Sequence, residues 1–198
     1  YLNSPETKIF DKSRNLYGLN VARTTRKNYL ILCEGYMDVI AMHQAGFTNA
    51  VASLGTALTS GHASLVKRYT KEVLLLYDSD GAGIRAALRA IPILREAGVT
   101  SRVVSLKPWK DPDEFIKTKG PDAFRNLLDG SENQIDYRLH AVTSKNDLTV
   151  DEQKVEFLKE ASDLVARLPG AVEREVYAAR VAEKAGVSRE AVLQEAER

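Results

Sequence analysis

Tyr29-Leu30-Ile31-Leu32-Cys33-Glu34-Gly35-Tyr36-Met37-Asp38 reads as a buried strand that runs straight into an acid. A short unbroken apolar run of this kind suits a strand covered on both faces, as in a parallel sheet. An acid at the exit of such a strand stands at the mouth of the sheet, where open α/β folds bind ligands. The same grammar recurs in Val73-Leu74-Leu75-Leu76-Tyr77, which ends in Asp78-Ser79-Asp80-Gly81. Two strands that each deliver carboxylates to one edge point to a shared site. Carboxylates held close against their own repulsion call for a cation.

Working outward, Gly35 to Gly46 has Tyr36, Val39, Ile40 and His43 at helical spacing. Asp38, four residues after Glu34, faces the same mouth if that helix starts promptly. A short strand at 50–52 follows, then the small-residue loop Ser53-Leu54-Gly55-Thr56 and a helix over 60–69. The second long strand leads through Asp78-Ser79-Asp80-Gly81-Ala82-Gly83 into a helix ending near Gly98, then to a fourth strand at 102–106 and the loop Lys107-Pro108-Trp109-Lys110-Asp111-Pro112-Asp113. Alternating strands and helices predict a mostly parallel, Rossmann-like sheet with helices on both faces. Right-handed crossovers then put every strand exit on one edge, so Glu34, Asp38, Asp78, Asp80, Asp111 and Asp113 are expected to converge there.

From Pro121 the pattern is helical throughout, with helices expected over 121–129, 131–144, 151–168, 171–185 and 188–196. The predicted organisation is therefore a lead-in segment (1–28), an α/β domain (29–125) and a small all-α bundle (126–198). In the lead-in, Asn3-Ser4-Pro5 is turn chemistry, and Lys12 to Leu19 is expected to make one or two helical turns closed by Gly18. Opening on such a segment without Met suggests a chain cut from something longer.

Composition sets the bounds. An apolar fraction of 44% over 198 residues supports a packed core. No run approaches the roughly 20 apolar residues of a membrane span. A lone Cys33 inside an apolar run reads as a buried thiol in a reducing, cytoplasmic compartment. The net charge of +1 hides an asymmetry: residues 1–30 carry Lys8, Lys12, Arg14, Arg23, Arg26 and Lys27 against Glu6 and Asp11. A basic front end beside a carboxylate cluster suits a phosphate-rich partner handled through a metal, although an unevenly charged solvated surface reads the same way.

Each candidate has a plainer alternative. Asp78-Ser79-Asp80-Gly81 is either a hard-cation site or an Asp-rich turn capping the next helix. Glu34 is a metal ligand, a general base or a helix-start acid. Lys12 is either a triphosphate contact or a solvated charge. Tyr36 and Trp109 are either stacking platforms for a base or rim packing. His43, His62 and His140 show no metal-ligand spacing. Ala185-Gly186-Val187-Ser188 resembles a helix-turn-helix joint, but its acidic surroundings argue against DNA contact.

Glu34-Gly35-Tyr36-Met37-Asp38 with Asp78-Ser79-Asp80-Gly81 resembles the Toprim domain of primases, topoisomerases and some nucleases. Tyr1-Leu2-Asn3-Ser4-Pro5-Glu6-Thr7 with Phe10-Asp11-Lys12-Ser13, Ala52-Ser53-Leu54-Gly55-Thr56 and Lys110-Asp111-Pro112-Asp113 are similar to the bacterial replicative primases in particular. The resemblance implies an RNA polymerase core that joins ribonucleoside triphosphates into short primers on a single-stranded DNA template. It implies Glu34, Asp78 and Asp80 as catalytic ligands of Mg²⁺ (or Mn²⁺) and Asp38, Asp111 and Asp113 as further members of the acidic cluster. It also implies Asn3 and Lys12 as nucleotide-binding residues. A place in the cytoplasmic, nucleoid-associated replication machinery follows from the same likeness. The family's zinc-binding domain, basic subdomain and helicase-binding domain are expected to be absent. The replicative helicase would then be reached only through a part outside the chain. The chain is accordingly expected to bind metal and nucleotide but to prime poorly alone. The competing readings are a Toprim nuclease or topoisomerase fragment and a non-catalytic DNA-binding Toprim module.

Overall fold

A computed structural model of the chain describes residues 5–78, 80–130 and 132–198. Four parallel strands form the centre of a sheet: β2 (Tyr29–Cys33), β3 (Ala50–Ser53), β4 (Glu72–Leu76) and β5 (Thr100–Val103). Two-residue antiparallel strands close its edges, β1 (Leu16–Tyr17) beside β3 and β6 (Glu132–Asn133) beside β5. The spatial order is β1-β3-β2-β4-β5-β6.

The central strands are apolar along their length because both faces are covered. Leu30 to Cys33 and Val73 to Leu76 are all at most 3% exposed. Side chains alternate between the faces. Ile31, Cys33, Leu74 and Leu76 share one face with Val39 and Met42 of α2 (Tyr36–Gln44) and Phe115, Phe124 and Leu128 of α5 (Pro112–Asp129). Leu30, Leu32, Val73 and Leu75 take the other face, where α3 (Ser60–Lys67) buries Ala63 and Val66 and α4 (Gly81–Glu96) buries Ala87, Ile91 and Leu94.

Chain order and strand order reverse between β2 and β4. From β2 the chain steps to β3 on one side, then crosses over to β4 on the other and continues outward to β5. That switch point is where a crevice opens at the carboxyl edge of an open sheet.

Several expectations are corrected. Lys12 to Leu19 is not helical throughout: it forms a 3-10 turn at Lys12–Arg14, then β1, and then α1 (Leu19–Ala22). β5 starts at Thr100 rather than Arg102, and Val104 and Leu106 continue beyond it as buried chain. Asp111-Pro112-Asp113 starts a helix rather than ending a loop. Asp111 is its N-cap and Pro112 occupies the first turn, where a missing N–H costs nothing. The helix breaks at Gly120, with φ of 85°, and resumes at Pro121. Its second half packs Phe124 edge-on against Phe47 and Phe115 in the sheet's core. The compact units therefore divide at Tyr1–Gln134 and Ile135–Arg198, not at residue 125.

The second unit is built from α6 (Gln134–Lys145), α7 (Asp151–Ala166), α8 (Ala171–Ala185) and α9 (Arg189–Ala196). Val142, Phe157, Val165, Ala178, Val181 and Val192 form its core. Between α8 and α9, Gly186 ends one helix in the left-handed region and Ser188 caps the next, its Oγ accepting the Ala191 N–H at 3.2 Å. Among the described residues no helix is long and apolar enough to cross a membrane.

Candidate metal and nucleotide site

The two acid-bearing strands meet at the switch point. Cys33 pairs with Leu76, so Glu34 follows one strand directly and Asp78 stands two residues beyond the other. The Asp78 backbone N–H donates to Glu34 Oε2 at 3.3 Å, tying the two exits together. Asp78 is only partly buried, yet its carboxyl is pushed up to about 6. Loss of solvent is the larger cause, and the charges of Glu34, Asp38, Asp80 and Asp111 add to it.

Asp38 sits in the first turn of α2, its Oδ2 accepting the Gly35 N–H at 3.0 Å. Burial raises its carboxyl most, against the Gly35 hydrogen bond, and Asp111, Glu34 and Asp113 raise it further. Asp80 caps α4: its Oδ1 accepts from Ala82 N–H at 2.9 Å and Gly83 N–H at 2.7 Å. That cap fixes the carboxylate's direction and satisfies donors at the helix start. Gly83 is obligatory here, because a Cβ at this position would collide with the Asp78 carbonyl. Asp111 caps α5 through Oδ1, which accepts the Glu114 N–H at 2.8 Å. Asp113 is engaged differently, in an ion pair with Lys117 at 2.6 Å.

The expected convergence is thus electrostatic rather than a finished cage. The acids share a rim and feel one another's charge. Among the described residues, no group of three or more His, Cys, Asp or Glu side chains is arranged to hold a metal ion. The donors still fit a hard divalent cation in kind. They are carboxylate oxygens that raise one another's charge cost, and Mg²⁺ commonly takes one or two carboxylates and fills its remaining positions with water and phosphate oxygens.

Asn3 lies outside the described residues. Lys12 opens the 3-10 turn, its N–H donating to Glu6 Oε1 at 3.0 Å and its carbonyl accepting from His62 Nε2 at 2.6 Å. Sequence reading passed over that His62 contact, since the partners stand 50 residues apart and His62 lacked any ligand spacing. Trp109 packs edge-on against Phe115, with ring centroids 4.6 Å apart, and so belongs to the rim of the core. Tyr36 pairs with Tyr17 at 5.5 Å. In the Ser53–Thr56 loop, Ser53 Oγ donates to the Thr56 carbonyl at 2.6 Å, closing a tight strand-to-helix turn.

Residues 31–116 match the Toprim-like family, and residues 135–190 match the DnaB-helicase binding domain of primase. The DNA primase of Clostridium acetobutylicum is 44% identical over 193 residues, which is 97% of this chain and 32% of that protein. The chain is thus similar to DNA primases over almost its whole length. The primase of Listeria monocytogenes is 36% identical across 98% of the chain. The solved zinc-binding and RNA polymerase domains of the Aquifex aeolicus primase superpose with a TM-score of 0.73 at 36% identity, covering 98% of this chain and 47% of that one. A DnaG primase catalytic domain bound to single-stranded DNA superposes at 0.79 with 34% identity, covering 96% and 62%. The primase match at 135–190 corrects one expectation: a segment similar to a helicase-binding domain lies within the chain, in its helical unit. The chain spans about a third of the length of the curated relatives it matches.

Proposed function

We propose that the chain supplies the metal and nucleotide site of a DNA-directed RNA polymerase that joins ribonucleoside triphosphates into short primers on single-stranded DNA. Glu34, Asp78 and Asp80 hold Mg²⁺ or Mn²⁺, with Asp38, Asp111 and Asp113 in support. Lys12 and Asn3 contact the triphosphate. The helical unit meets the replicative helicase, and the protein works in the cytoplasmic replication machinery. The observation that carries this reading is the state of Asp78. At the switch point between β2 and β4, its carboxyl is raised to about 6 by burial and four neighbouring acids. A bound divalent cation lowers the pKa of an attacking hydroxyl and offsets charge on the departing pyrophosphate. The protein's own part is positional. The Glu34 to Asp78 bond registers the two strand exits, and the Asp80 cap commits one oxygen to α4 and leaves the other to a ligand.

The test is a chimera in which residues 1–198 replace the matching segment of the Clostridium acetobutylicum primase, assayed for labelled ribonucleotide incorporation on a single-stranded template. Incorporation should fall about a hundredfold with Glu34→Gln or Asp78→Asn, as for loss of a metal-site ligand. Equal activity in the chimera and both variants would remove the acids from the chemistry. Template cleavage without nucleotides would instead favour the nuclease reading.

A further inference from the structure

The turn that carries Lys12 is fastened to the first turn of α3 at two successive carbonyls. Thr59, the N-cap of α3, has a hydroxyl that accepts the His62 N–H at 3.1 Å and donates to the Ser13 carbonyl at 2.6 Å. His62 Nδ1 accepts the Thr59 N–H at 3.2 Å, so the ring's single proton in the neutral form sits on Nε2. Nε2 therefore donates to the Lys12 carbonyl, 2.6 Å away. The side chain is fully buried, and that burial pushes the imidazole below its usual range. Gly61 lets the two segments approach: a Cβ there would stand 2.7 Å from the Ser13 carbonyl oxygen. From the other side, Asp11 Oδ1 accepts the Ser13 N–H at 2.8 Å and Glu6 accepts the Lys12 N–H.

Topology gives this fastening its meaning. α3 follows β3, and β3 lies beside β2 with Ala52 opposite Cys33. The loop from β3 to α3 therefore leaves the same carboxyl edge that carries Glu34. The Lys12 turn is held on that edge by α3, although it belongs to a lead-in segment that contributes only the two-residue strand β1 to the sheet. A lysine on a loose segment loses backbone freedom when it binds phosphate, whereas one on a fixed turn has already lost it.

We propose that His62 and Thr59 are positioning residues for nucleotide binding, locking the Lys12 turn on the first turn of α3 so that the lysine meets a triphosphate from a preset backbone. This rests on the assignment of Lys12 to the triphosphate. Their effect on nucleotide affinity passes through Lys12.

The experiment is a double-mutant cycle on the chain, titrating ATP with Mn²⁺ by calorimetry. Lys12→Met should weaken ATP about tenfold, the equivalent of one charge-assisted hydrogen bond. His62→Leu should weaken it comparably when Lys12 is present and no further when Lys12 is Met. His62→Gln, which keeps an N–H near the Nε2 position, should recover most of the affinity. Thr59→Val run through the same cycle covers the case in which His62→Leu does not fold. If Lys12→Met weakens ATP but the His62 or Thr59 substitution acts equally in both backgrounds, or not at all, the positioning role is wrong and the Lys12 assignment stands. If Lys12→Met leaves ATP affinity unchanged, the Lys12 assignment fails and the positioning role falls with it.

Discussion

Asp78 is held in the fold at a cost. Its carboxyl is partly withdrawn from water and faces four other acids, so ionising it at neutral pH works against the folded state. Asp78→Asn keeps the shape and removes the charge. In EDTA at pH 7, its thermal midpoint should rise by a few degrees, because the site is solvent-screened and the gain modest. Scanning calorimetry checks this, and an unchanged or lower midpoint would count against an unbalanced acidic site. His62 contributes in another direction. Burial lowers its folded pKa below the ordinary 6.5, so between the two values the unfolded chain binds more protons than the native one. That contribution is present in full above pH 6.5 and is lost as pH falls through the lowered value. Denaturant midpoints measured from pH 7.5 downward should decline less steeply in His62→Gln than in the native sequence. Equal slopes would mean that the imidazole is not held neutral.

At the scale of elements, β2 and β4 were legible because unbroken apolar runs of that length fit strands covered on both faces. Their exits were legible for the same reason, which is why the sequence places Glu34 and Asp78 at neighbouring strand ends, as the fold does. β1 and β6 were not legible: two-residue edge strands are made by pairing with a neighbour, and so short a segment has no periodicity to read. The start of α5 carried a readable signal, with Asp111 as cap, Pro112 in the first turn and acids following, but Asp-Pro-Asp is also turn chemistry. The fastening of Lys12 by His62 was out of reach, since it joins residues far apart in sequence and depends on a tertiary approach. α4 offers a test of how elements set the site. Its first turn lies so close to the strand exit that Gly83→Ala would drive a methyl group into the Asp78 carbonyl. The substitution should destabilise the chain by about 3 kcal/mol and weaken divalent-ion binding together. Denaturant unfolding and an Mn²⁺ titration read both effects, and an alanine tolerated without loss of either would contradict the packing described.

Across the whole molecule, each compact unit has its own core, and the two family matches fall in different units. The acidic rim belongs wholly to the first, where the sheet reverses its strand order. The proposed nucleotidyl-transfer role depends on that rim accepting a divalent cation. Calorimetric titration of the chain with Mn²⁺ tests this most directly, with Glu34→Gln and Asp78→Asn as variants and Asp113→Asn as a comparison already ion-paired to Lys117. The account predicts Mn²⁺ binding that tightens with ATP, falls about tenfold or more in the first two variants and changes least in the third. Binding that is unchanged in Glu34→Gln and Asp78→Asn would contradict it.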